Sequence, residues 1–114
     1  MVQPKLIIYE SGISYLLAEL DEEDRRIKSS NMGLGDVLTE NVSGIAYSTT
    51  EYEKSKKVQY NLFDMGNNLT NNKEGWAVIK WKYSGSFGVN VERHFFDKND
   101  SLIQIKEGRG GSLF

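Results

Sequence analysis

A chain of 114 residues with 39% apolar and 26% charged residues has the size and composition of one ordinary globular domain, able to bury a core without covalent staples. Its net charge of -2 gives no general attraction for a nucleic-acid backbone or an anionic membrane surface, so neither is an expected partner. The absence of cysteine removes disulfides, thiolate metal sites and thiol nucleophiles, and is compatible with a reducing cytosol.

The N-terminus MVQPKLIIYESG carries too short an apolar run for a secretory signal, and no stretch approaches the ~20 apolar residues of a spanning helix. A cytoplasmic protein that does not enter membranes is therefore expected. Residues 5–9, KLIIY, form a short apolar run set off by Pro4 and Ser11-Gly12, which predicts a strand. In the next segment Ile13, Leu16, Leu17, Leu20 and Ile27 fall at helical spacing, and the spacing predicts a helix. The same residues, ISYLLAEL, also suit a buried strand, with DEED turning into RRIKSS as a hairpin.

Residues 29–41 carry Gly33 and Gly35 and read as a loop with a helical turn at 36–38. The period then changes to two. Ile45, Tyr47 and Thr49 and, after the charged EYEKSK, Val58, Tyr60 and Leu62 alternate as a hairpin would. Between Met65 and Gly75 the asparagines 67, 68, 71 and 72 mark an exposed loop tolerant of left-handed backbone. WAVIKWKY, FGVNVERHFF and SLIQIK then read as a three-stranded meander joined by SGS and DKND, in which Asp97 and Asp100 look like turn residues bonding the local backbone. Alternation places Trp81, Tyr83, Phe87 and Phe95 in the core and Trp76 and Phe96 on the second face.

No internal repeat and no domain linker is apparent; residues 1–107 read as a single globular domain and 108–114 as a flexible tail. The fold expected is α+β, an antiparallel sheet of about five strands with one N-terminal helix. The alternative is a mostly β chain, barrel-like or a sandwich, should residues 13–20 be extended.

His94 is the only histidine, so any imidazole chemistry in one chain is built on it, with Glu92 two positions away on the same strand face as a partner that can poise a general base. No nucleophile or oxyanion donor can be placed beside the pair. The carboxylates Asp64, Glu74, Glu92 and Asp97 show no spacing that marks a glycosidase dyad, and DKNDSL lacks the ligand pattern of a calcium loop. MGLGD and EGRGG do not match a phosphate-loop or dinucleotide fingerprint. Neither a metal nor an organic cofactor is expected.

Residues 1–57 carry 7 basic and 10 acidic side chains, and the remainder 7 and 6. The acidic excess gathers at Glu19, Asp21, Glu22, Glu23 and Asp24, a face that suits a basic partner. Trp76 and Phe96, if uncovered, are anchors of the kind enriched at protein interfaces. These residues lead to an expected function as a small non-enzymatic binding protein of immunity or inhibitor type, blocking a larger effector through a protein interface. A small-ligand or hydrolytic domain using His94 and Glu92 is the alternative, and a homo-oligomer burying Trp76 and Phe96 between copies is a further arrangement.

Overall fold

The computed structural model describes residues 5–8 and 14–109. Its described residues form eight strands: β1 (Lys5–Ile8), β2 (Tyr15–Leu20), β3 (Arg26–Met32), β4 (Tyr47–Glu53), β5 (Lys56–Phe63), β6 (Val78–Ser84), β7 (Asn90–Phe96) and β8 (Leu102–Arg109). A single 3-10 turn, Ser86–Gly88, interrupts them. Each strand pairs antiparallel with its neighbours in the chain, giving one sheet in the order β1 to β8. Among the described residues β1 and β8 do not pair with each other, so the sheet is open.

The helix expected over residues 13–20 is not formed. Residues 15–20 are β2, paired to β1 on one side and β3 on the other, while residue 13 lies outside the described residues. Leu16 and Ala18 are buried and their neighbours only half-buried, a period of two that a helix could not present. Pairing along both edges outweighs the helical tolerance of YLLAEL, as tertiary context commonly does with a short apolar run. The helical turn expected at 36–38 is also absent; Leu38 instead bridges Met32. The mostly β alternative therefore describes the chain, as an open sheet and not a barrel.

A recurrent turn joins these strands. Asp21, Asn41, Asp64, Asn72 and Asp97 each open a five-residue turn in which the side-chain oxygen accepts hydrogen bonds from the backbone N–H groups two and four residues on. The fourth residue donates to the first carbonyl and the first N–H donates to the fifth carbonyl. In all five the fourth residue has positive φ: Asp24, Gly44, Asn67, Gly75 and Asp100. This is a type I turn followed by a left-handed residue, the geometry that asparagine, aspartate and glycine tolerate at low cost. A sixth copy at residues 33–37 has the same backbone bonds but begins at Gly33, without the side-chain acceptor.

These turns expose an internal repeat of 31 residues that was not apparent in the sequence. Residues 25–52 superpose in register on 56–83: Gly35 on Gly66, Leu38 on Leu69, Thr39 on Thr70, Asn41 on Asn72, Gly44 on Gly75, Ala46 on Ala77 and Tyr52 on Tyr83. The contacts recur with the residues. Leu38 bridges Met32 as Leu69 bridges Phe63. Asn31 N–H donates to Ala46 as Leu62 N–H donates to Ala77. The Tyr52 hydroxyl donates to the Arg26 carbonyl as Tyr83 does to that of Lys57. The repeat was hidden because only seven of the 28 matched positions are identical; some others keep only their physical class, such as Ile27 with Val58 or Met32 with Phe63, and many change it.

A sheet of chain-adjacent hairpins has no second layer, and its radius of gyration of 15.1 Å exceeds the about 13 Å of a compact chain this long. The buried apolar side chains Leu16, Ala18, Leu62, Ile79, Val91 and Phe95 lie on one face, and no large side chain among the described residues is wholly enclosed. Phe87, expected in the core, is 97% exposed. Gly85 and Gly88, both at positive φ, turn the chain there, and β7 begins only at Asn90. β8 runs to Arg109, past the expected end of the domain at 107; residues 110–114 lie outside the described residues.

The turn acceptors carry stability that packing does not. Replacing Asp97 by Ala removes two charge-assisted bonds and is expected to cost about 1–2 kcal/mol, read as a lowered urea midpoint with unchanged slope. Asn99→Ala, at an exposed position of the same turn whose side chain is not the turn acceptor, is expected to cost less.

Candidate binding groove

Cross-strand register divides the sheet into two faces. Leu16 and Ala18 on β2, Ser29 and Asn31 on β3, Ser48 and Thr50 on β4, and Tyr60 and Leu62 on β5 all project from one of them. On this face lies a cavity of about 510 Å³, a volume in the range of ligand-binding clefts. Its floor is formed by these strands, and its walls by the second turn of each long connection, which bring in Asn41, Ile45, Asn72 and Trp76.

Trp76 reaches this face because it closes the turn opened by Asn72 and precedes β6. Strand alternation, which placed it on the second face, does not extend to it. Its ring meets Phe95 edge-on at 5.2 Å and Tyr60 at 6.3 Å, leaving it half-buried. Ile45 holds the matching position in the preceding repeat. The Asn31 amide is buried beside it and donates to the Ile45 carbonyl at 2.7 Å, so the floor is polar but satisfied.

Two bulges set the groove's charge. Between β2 and β3 the register steps from Glu19 opposite Lys28 to Leu20 opposite Arg26, leaving Ile27 as an extra residue. Between β4 and β5 it steps from Glu51 opposite Gln59 to Tyr52 opposite Lys57, leaving Val58 extra. A bulge flips the side chains beyond it to the other face. Arg26 and Lys57 thereby turn onto the groove face, and both line the cavity. Tyr52 stands between them, its hydroxyl donating to the Arg26 carbonyl at 3.0 Å and its ring beneath the Arg25 guanidinium at 4.7 Å. Among the described residues no aspartate or glutamate lines the cavity.

The residues singled out by sequence fall into three places. His94 and Glu92 are brought together, with Nε2–H of the imidazole 2.9 Å from Oε1 of the carboxylate. They project from the face opposite the groove, across from Lys80 and Lys82 respectively, and neither lines the cavity. Phe96 lies on that same second face, half-buried beneath Lys80, whose Nζ is 4.7 Å from the ring centroid. The acidic cluster is divided. Asp21 is held by Arg25 at 2.7 Å and by backbone amides, chiefly that of Arg25, which keep its carboxyl below the usual range; Glu19 sits on β2 opposite Lys28; Glu22, Glu23 and Asp24 are exposed at the turn. Among the described residues no group of three or more His, Asp or Glu side chains gathers as a metal site, and no helix is long and apolar enough to cross a membrane.

Arg26, Tyr52, Lys57, Tyr60 and Ser48 were not singled out from the sequence. The 31-residue recurrence is a signal for three of them, since it aligns Arg26 with Lys57 and Tyr52 with Tyr83; Tyr60 and Ser48 are found only by register. No family model, curated protein or solved structure matches the chain, and the functional reading rests on this geometry.

Burial raises the phenol pKa of both Tyr52 and Tyr83 above its ordinary value. A group whose folded pKa exceeds its unfolded one stabilises fully below the unfolded value, about 10 for tyrosine, and loses that contribution as pH rises through the folded value. Stability is therefore expected to fall as pH passes 10, and to fall less steeply in Y52F/Y83F, whose urea midpoints across that range isolate the tyrosines from the lysines.

Proposed function

We propose that this protein is a non-enzymatic binding module that engages another protein through the groove on the sheet face carrying Tyr60 and Trp76. The observation that supports this most is the groove's lining. Tyr52, Tyr60 and Trp76 supply large, rigid, amphipathic area at low entropic cost. Ser43, Ser48 and Thr50 supply adaptable hydrogen bonding over a floor whose Asn31 is already satisfied, and Arg26 and Lys57 stand at the side. That mixture is the one protein-binding paratopes use. A stack of repeated hairpins favours the same reading, since quasi-linear sheets and solenoids present extended surfaces to partners. An immunity or inhibitor protein, which masks a larger effector in a reducing, cytoplasmic setting, is the role this surface suits.

The groove lends no support to the hydrolytic reading. His94 and Glu92 form a close pair, but on the face away from the cavity.

Native mass spectrometry of protein isolated gently from its host is expected to carry a second polypeptide at fixed stoichiometry. Ser48→Arg, which fills the groove floor from a half-buried strand position, should release it, and Trp76→Ser should weaken it by at least about 2 kcal/mol. His94→Gln should leave it unchanged. Loss of the partner with His94→Gln but not with Ser48→Arg overturns the groove reading, and a species containing only copies of the chain would instead mark self-association.

A further inference from the structure

The groove has a charge character that the rest of the chain does not share. The molecule is net acidic at -2, yet among the described residues the cavity is lined by Arg26 and Lys57 and by no carboxylate. Resting on the groove as the binding surface, we propose that its occupant is an extended acidic segment of the partner protein, held by Arg26 and Lys57.

Three observations carry this. First, both cations are aimed onto this face by the same device, an extra residue at Ile27 and at Val58. Without the bulges each would project from the opposite face. A bulge repeated at the same place in two repeats, each redirecting one long cation, is a structural feature of the site and not a scatter of surface charge. Second, neither cation forms an ion pair among the described residues. The nearby carboxylates are engaged elsewhere: Asp21 with Arg25 at 2.7 Å, and Glu51, on the other face, accepting from the Asn61 amide at 3.0 Å. Third, the two positions lie on β3 and β5, one either side of Tyr52 on β4. Two inter-strand spacings put β3 and β5 about 10 Å apart where both pair with β4.

An extended chain advances about 3.3 Å per residue, so two carboxylates separated by two to four positions span the cations. Between them the segment would pass Tyr52, with its polar backbone facing Ser48 and Thr50. Carboxylates suit guanidinium and ammonium in charge and in hydrogen-bonding geometry. A single-stranded nucleic acid would find aromatic rings here, but only two cations, in a chain whose net charge repels it.

The test is a selection of random short peptides, displayed and panned on the whole chain, followed by affinity measurement of the enriched peptides and of a single-stranded oligothymidylate. Enriched sequences are expected to carry two Asp or Glu residues two to four positions apart. They should bind about tenfold or more weakly to R26Q/K57Q, recover with R26K/K57R, and weaken as salt rises. Both positions are exposed, so the variants are expected to keep the wild-type circular dichroism. Enriched peptides without acidic residues, blocked by Ser48→Arg but indifferent to R26Q/K57Q, would overturn the acidic occupant and leave the groove standing. Oligothymidylate binding more tightly than any peptide, with the same dependence on the two cations, would overturn it in favour of nucleic acid. Peptides indifferent to Ser48→Arg, or no enrichment at all, would overturn the groove reading itself.

Discussion

The side-chain oxygen that opens five of the turns is the interaction on which much of this fold depends. A sheet whose strands follow one another in space has no second layer and little enclosed volume, so hydrophobic burial alone cannot fix where one strand ends and the next begins. Here an aspartate or asparagine does so. It accepts two backbone amides, sets a left-handed residue three positions on, and delivers the chain into the next strand in one register. Asn72 shows how far this reaches. By closing the turn at Trp76 it determines on which face that ring lies, and hence that the groove has an aromatic wall.

Register then converts small local events into function. Because successive side chains alternate faces, one extra residue inverts everything beyond it. The bulges at Ile27 and Val58 use this twice, and each moves a cation from the outer face to the groove. The same step sets Tyr52 beside Arg26, where its hydroxyl ties β4 to the carbonyl at the start of β3. Support and groove lining share residues here, so groove shape and sheet register are coupled.

Part of this was legible in the sequence and part was not. The β4–β5 hairpin, the final meander and the turn role of Asp97 follow from period-two patterning and from aspartate's habit of bonding its own backbone, both local properties. β1 was read as a strand, but β2 was misread because YLLAEL, six residues long, fits helical and extended spacing alike; its pairing on both edges, a non-local fact, decides. Phe87 was misplaced for a related reason: alternation was carried through a segment whose glycines break it. The bulges were invisible, since Ile27 and Val58 look like any other strand residues and only cross-strand pairing shows them to be extra.

The repeat explains why the candidate site escaped sequence reasoning while the less informative His94–Glu92 pair attracted it. A lone histidine stands out by chemistry, whereas Arg26, Tyr52, Lys57 and Tyr60 are unremarkable in isolation and acquire meaning only through the frame that aligns Arg26 with Lys57. That frame also accounts for the groove's position. Between one long connection and its copy, the wall residue changes from Ile45 to Trp76 and the floor from Asn31 to Leu62, so the cavity runs from an aliphatic, hydrogen-bonding end to an aromatic one. A surface graded in this way, bordered by one cation from each repeat, can distinguish the direction of a bound chain as well as its charge. Two identical repeats would have lacked that polarity, and the divergence between them is where specificity for one partner would reside.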